Sequence, residues 1–155
     1  SGHPDVSAMF LNDEPDEKMI ILLADDNAVN LQLLNRMIQR LGYDTETVRN
    51  GNEALGALQR LRSDPRFRLA IVDFQMPEMN GGDVTARYRA WEDEMHYAPL
   101  PLVILSGHGT SHLKFLVEQY GAVEIVEKPI RLQQLQEILQ RILPVEIRDI
   151  ADVPP

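Results

Sequence analysis

Three stretches of this chain, "MIILLA" (19–24), "RLAIVDF" (68–74) and "LPLVILS" (100–106), run through consecutive apolar residues without polar alternation. A strand with one wet face alternates with period two. A strand that does not alternate is covered on both faces, as in a parallel sheet flanked by helices. Pro101 cannot donate to a ladder, so it belongs at the start of its strand. Helical patterns separate these runs. Residues 30–41 place Leu31, Leu34, Ile38 and Leu41 on one stripe before Gly42, and 52–61 do the same with Leu55, Leu58 and Leu61. Asp83 is a candidate cap for a helix to about Met95, another helix is expected over 110–120 before Gly121, and residues 131–143 carry Leu132, Leu135, Ile138, Leu139 and Ile142 at helical spacing. Two more strands, "DTETV" (44–48) and "AVEIVE" (122–127), complete five strands alternating with five helices. Right-handed crossovers then give a doubly wound α/β fold with helices on both faces of a parallel sheet.

At 155 residues and 44% hydrophobic, the chain can bury one core. Residues 1–17 hold five acids (Asp5, Asp13, Glu14, Asp16 and Glu17) and no Lys or Arg, and read as a flexible acidic leader. Residues 18–143 form the domain, and 144–155, bounded by prolines, a tail or linker. The first residue is not Met, and Ser1-Gly2-His3 resembles a cloning scar, so a fragment or processed product is expected. A net charge of −9 argues against unspecific nucleic-acid binding. The lack of cysteine excludes disulfides and thiolate metal sites, and no run approaches membrane-spanning length, so a cytoplasmic setting is expected.

In parallel sheets of this kind, ligands sit beyond the carboxyl ends of the strands. Asp25 and Asp26 follow the first strand, Asp73 ends the third, Ser106 ends the fourth and Lys128 follows the fifth. The second runs into Arg49, Asn50 and Gly51, with no evident chemistry. If the second strand lies at an edge, the other four ends converge. Clustered carboxylates repel unless a cation joins them, and an all-oxygen set suits a hard divalent ion such as Mg²⁺. A metal, a lysine and a hydroxyl around a spare carboxylate form a site for phosphoryl transfer, with Asp as nucleophile. The pair His108 and His112 has helical metal-ligand spacing, but no third ligand is evident, and "SGHGTS" lacks the spacing and lysine of a nucleotide loop. Trp91 reads as packing, and Arg87 and Arg89 as a solvated helix face.

Together, "LLADDNAVN", "IVDFQMPEMNGG", "VILSGHG" and "EKPI" resemble the receiver domain of two-component response regulators, over roughly four-fifths of the chain from about Met19 to Leu143. The "DDNAVNLQLL" form is similar to receivers fused to hybrid histidine kinases. The resemblance implies a (βα)5 flavodoxin-like three-layer sandwich with strand order 2-1-3-4-5. It implies that Asp73 accepts a phosphoryl group from a phosphohistidine. Asp25, Asp26, Asp73 and the backbone carbonyl of Gln75 would hold Mg²⁺ (or Mn²⁺), Ser106 would bond the phosphoryl oxygen, and Lys128, before a cis proline, would pair with the phosphate. The implied partners are a histidine kinase or histidine phosphotransfer domain, with a homodimer as a further expectation and no nucleic acid or membrane for this segment.

Two positions are singled out by the same resemblance. Ile125 stands where the family often has a switching aromatic, and His108, with Gln75, stands where dephosphorylation is tuned. The domain is thus expected to be a phosphoacceptor rather than a conventional turnover enzyme. A receiver-like binding module that does not use phosphorylation is the alternative. An Asp-nucleophile phosphohydrolase is disfavoured, because Gln75 occupies the place of its second acid.

Overall fold

The computed structural model describes residues 18–107 and 119–143. Strands β1 (Ile20–Ala24), β2 (Asp44–Val48), β3 (Phe67–Asp73), β4 (Leu102–Ser106) and β5 (Glu124–Glu127) form one sheet in the order β2-β1-β3-β4-β5. Every pairing is parallel, so all five carboxyl ends lie along one edge. The doubly wound architecture and its strand order therefore agree with the expectation. Helices α1 (Ala28–Arg40), α2 (Gly51–Leu61), α3 (Gly81–Met95) and α4 (Leu132–Ile142) supply the outer layers. Of the helix expected over 110–120, Gln119 and Tyr120 are helical and the remainder lies outside the described residues, as do the leader 1–17 and the tail 144–155. Among the described residues, no helix is long and apolar enough to cross a membrane.

The absence of alternation in β1, β3 and β4 has the predicted origin. Ile21 and Leu23 of β1 face a core with Leu31, Leu34 and Ile38 of α1 and Leu135, Ile138 and Leu139 of α4. The intervening Leu22 and Ala24 face a second core with Ala54, Leu58 and Leu61 of α2 and Val84 and Tyr88 of α3. Fully burying one such aliphatic side chain contributes about 2 kcal/mol, and these two apolar layers supply most of the driving force. Edge strand β2, with one neighbour, is only half-buried. Gly42 and Gly121 adopt φ of 100° and 89° after their helices, the left-handed turn that glycine takes without a Cβ clash.

Asparagines set the starts of α1, α2 and α3. Asn27, Asn50 and Asn80 each accept a hydrogen bond from the backbone N–H three residues on, in Asn30, Glu53 and Asp83. The cap of α3 is thus Asn80 rather than Asp83, which lies in the first turn, where its charge suits the helix dipole. Gly81 belongs at this start because a Cβ there would sit 2.6 Å from the Asp73 carbonyl oxygen.

Arg89 also differs from the solvated face expected of it. It is half-buried, donates to the Gly121 carbonyl and pairs with Glu92 at 2.8 Å. Buried Glu92 takes Arg62 at 2.7 Å and the Leu100 backbone N–H at 2.8 Å, tying α2, α3 and the approach to β4 together. Arg87 is exposed, and half-buried Trp91 stacks on Tyr88 at 5.4 Å. Removing the carboxylate would leave two partly buried guanidinium groups without their counter-charge. Glu92→Ala is therefore expected to lower unfolding stability by about 3 kcal/mol in chemical denaturation, against well under 1 kcal/mol for exposed Arg87→Ala.

Candidate functional site

The parallel register brings four strand ends together. Asp25 follows β1, and its backbone N–H bonds the Val48 carbonyl of β2 at 3.2 Å. Its side chain is buried and accepts from Asn27 N–H at 2.9 Å, which turns the chain into α1 and leaves Asp26 exposed. Asp73 ends β3 in a buried position. Just beyond it, Phe74 N–H bonds the Leu105 carbonyl at 2.7 Å, and the Phe74 carbonyl accepts Gly81 N–H at 2.7 Å. The Asp73 backbone is therefore held by β4 on one side and by the start of α3 on the other. Ser106 is buried at the end of β4, and its carbonyl accepts Lys128 N–H at 2.7 Å. The Lys128–Pro129 bond is cis.

Lys128 Nζ lies 3.0 Å from Asp73 Oδ1 and 3.9 Å from Asp25 Oδ2. Carboxylate oxygens of Asp25, Asp26 and Asp73 come within 4.8 Å of one another. Burial pushes the Asp73 carboxyl up from its ordinary value of 3.8 to about 6. The Lys128 ammonium opposes this, the Asp25 charge adds to it, and the Gln75 backbone N–H opposes it more weakly. Asp73 Oδ1 is buried and meets the Lys128 ammonium as an ion pair at 3.0 Å, without a well-directed hydrogen bond. An all-oxygen group of three acids, with one ammonium beside Asp25 and Asp73, fits a hard divalent cation.

The remaining predicted positions lie as follows. Gln75 is exposed two residues beyond Asp73. Ile125 is half-buried, opposite Ile104, and packs against the α2–α3 core. His108 and His112 lie outside the described residues. Sequence reasoning missed the turn after β2, where Arg49 donates to the Asp26 carbonyl at 3.1 Å and Asn52 to Glu78 at 2.7 Å. The available signal was positional: an arginine at the carboxyl end of an edge strand, beside an acidic loop. A cavity of about 260 Å³ opens from Asp25 and Lys128 along Leu33, Leu34 and Met37 of α1 to Pro129 and Ile130.

Residues 21–140 match the family model of the response regulator receiver domain. The chain is similar to the sensor histidine kinase GacS of Pseudomonas protegens, 36% identical over 131 residues, covering 81% of this chain and 14% of that one. The chain thus spans a small part of that relative. Among solved structures, it is similar to the chemotaxis protein CheY4 of Vibrio cholerae, with a TM-score of 0.70, 28% identity, and coverage of 81% and 99% of the two chains. It is also similar to the receiver domain of the sensor histidine kinase PA1611 of Pseudomonas aeruginosa, with a magnesium ion coordinated in its active-site cleft. The TM-score there is 0.69, the identity 28%, and the coverage 81% and 97%.

The raised Asp73 pKa has a signed consequence for stability. Between about pH 4 and 6, the native state retains the Asp73 proton more than the unfolded state does, so ionisation in this window favours unfolding. Without divalent ions, Asp73→Asn is expected to be more stable than wild type by about 2 kcal/mol at pH 7.5. The difference should vanish towards pH 4. Denaturant unfolding of both proteins across that range measures it.

Proposed function

The chain belongs to the response regulator receiver domain family, and on that premise we propose that it accepts a phosphoryl group on Asp73 from a phosphohistidine and relays it or changes conformation in response. The observation that carries this reading is the buried Asp73 carboxylate, paired with Lys128 at 3.0 Å and with its oxygens within 4.8 Å of those of Asp25 and Asp26. With a pKa of about 6, Asp73 is mostly ionised at neutral pH and can act as a nucleophile. Its carboxylate oxygen forms the new bond to phosphorus as the phosphorus–nitrogen bond to the donor imidazole breaks, and that nitrogen keeps the electron pair. Lys128 neutralises charge on one phosphoryl oxygen, and the Ser106 hydroxyl donates to another. Asp25, Asp26, Asp73 and the Gln75 carbonyl are the residues that would hold Mg²⁺ (or Mn²⁺). The ion, when bound, supplies neutralising charge to the carboxylates and the phosphoryl oxygens. The magnesium in the cleft of the PA1611 receiver supports the choice of ion.

The proposed unit is residues 18–143, working in the cytoplasm between the leader and the tail. Its partner is a histidine kinase or a histidine phosphotransfer domain, and a homodimer is a further proposed assembly. Exposed Val29 and Leu33 beside the apolar cavity on α1 support docking of a partner there. Because Ile125 replaces an aromatic switch, output runs through loop movement or through donor and acceptor contacts. Gln75 and His108 set the lifetime of the aspartyl-phosphate.

Acetyl phosphate with Mg²⁺ is expected to label wild type and not Asp73→Asn, and chelation of the metal should abolish labelling. Lys128→Ala should slow labelling on the order of 100-fold, the scale of losing one charge-stabilising donor. A wild type that takes no label would instead favour the binding module that does not use phosphorylation. Gln75→Ala and His108→Ala should each change the decay rate of the phosphorylated protein, and unchanged decay in both rejects their tuning role.

A further inference from the structure

The turn after β2 carries no acid or nucleophile, yet it touches both loops that hold the acids. Arg49 reaches across 23 positions in sequence to donate from its guanidinium to the Asp26 carbonyl at 3.1 Å, and its own backbone N–H is held by Glu53 Oε1 at 3.0 Å. On the other side, Gly51 lies against Met79 so tightly that a Cβ would sit 2.1 Å from the Met79 carbonyl oxygen. Asn52 donates to Glu78, whose φ is 72°. The turn thus lies between the Asp25–Asp26 loop and the loop after Asp73.

Asp25 needs little help from this turn, because it is buried and its carboxylate is fixed by Asn27 N–H. Asp26 is exposed, and nothing about its burial fixes the main chain that carries it. We propose that Arg49 is a positioning residue for the acidic pair, gripping the Asp26 main chain so that its carboxylate stays within ligand distance of Asp25 and Asp73. This rests on the divalent-ion site of the proposed function. A charge-assisted hydrogen bond to a carbonyl is stronger than a neutral one, and a ligand held in place loses less freedom when the ion binds.

The guanidinium could act on the ion in two ways, and their signs are opposite. As a bare positive charge it repels a cation, so its removal would tighten binding. As a grip it preorganises Asp26, so its removal weakens binding. Arg49 is exposed, and water and salt screen its charge, so the grip dominates. The hydrogen bond joins two segments at the end of the sheet, outside the buried core, so its loss is felt at Asp26 more than in global stability.

Calorimetric titration of Mg²⁺ into the intact chain tests this, alongside the unfolding midpoint measured without the ion. Arg49→Ala is expected to weaken Mg²⁺ binding about tenfold, the lower end of what losing a ligand-orienting partner costs, with an unchanged midpoint. Arg49→Lys, which keeps the charge and one donor, should recover part of that affinity. An Ala variant that binds as tightly as wild type or more tightly overturns the inference. So does weakened binding that merely follows a matching loss of stability. A wild type that binds no Mg²⁺ overturns the ion site itself and this inference with it, whereas normal wild-type binding with an unaffected Arg49→Ala removes only the role of Arg49.

Discussion

Two buried carboxylates, Asp73 and Asp25, lie within reach of the Lys128 ammonium at 3.0 and 3.9 Å. Burial penalises the charge on Asp73, the second carboxylate adds to the penalty, and the lysine only partly offsets it, which is why the Asp73 pKa rises to about 6. Backbone hydrogen bonds of Phe74 and close packing of Gly81 against the Asp73 carbonyl fix the main chain that carries the carboxylate. A site kept in electrostatic tension is one that a cation can relieve, and a ligand that binds only the relieved arrangement gains the difference.

The sheet topology makes this tension possible. Five parallel strands send all their carboxyl ends to one edge, and the order β2-β1-β3-β4-β5 sets β1, β3 and β4 side by side with β5 next to β4. Asp25, Asp73, Ser106 and Lys128 therefore stand on adjacent strands, although more than 100 positions separate the first from the last. The buried Glu92 cluster plays an analogous part on the α2–α3 side of the sheet. There one carboxylate satisfies Arg62, Arg89 and a backbone N–H, so its charge is matched and the elements are fastened together. One acidic centre is balanced by several close donors, and the other shares a single ammonium between two buried carboxylates.

Much of this was legible along the chain. Unbroken apolar runs identified β1, β3 and β4, because burial on both faces removes alternation, and the residues ending those runs named Asp25, Asp73 and Ser106. Boundaries were less legible. The α3 cap went to Asp83 in place of Asn80 because either side chain can cap and only the backbone path decides which oxygen reaches which N–H. Arg89 read as solvated because helical position alone does not show that Gly121 and Glu92 lie over it.

The sequence by itself determined the period of each element, the two-faced burial of the sheet and the kinds of groups that stand at the strand ends, since these depend on neighbours within a few residues. Tertiary structure alone decided the distances among those groups, the Asp73–Lys128 pair, the raised pKa and the hydrogen bond of Arg49 to Asp26. Each of these depends on groups from different strands meeting in a site shielded from water. That meeting is set by how the crossovers pack onto the sheet, which no local pattern encodes.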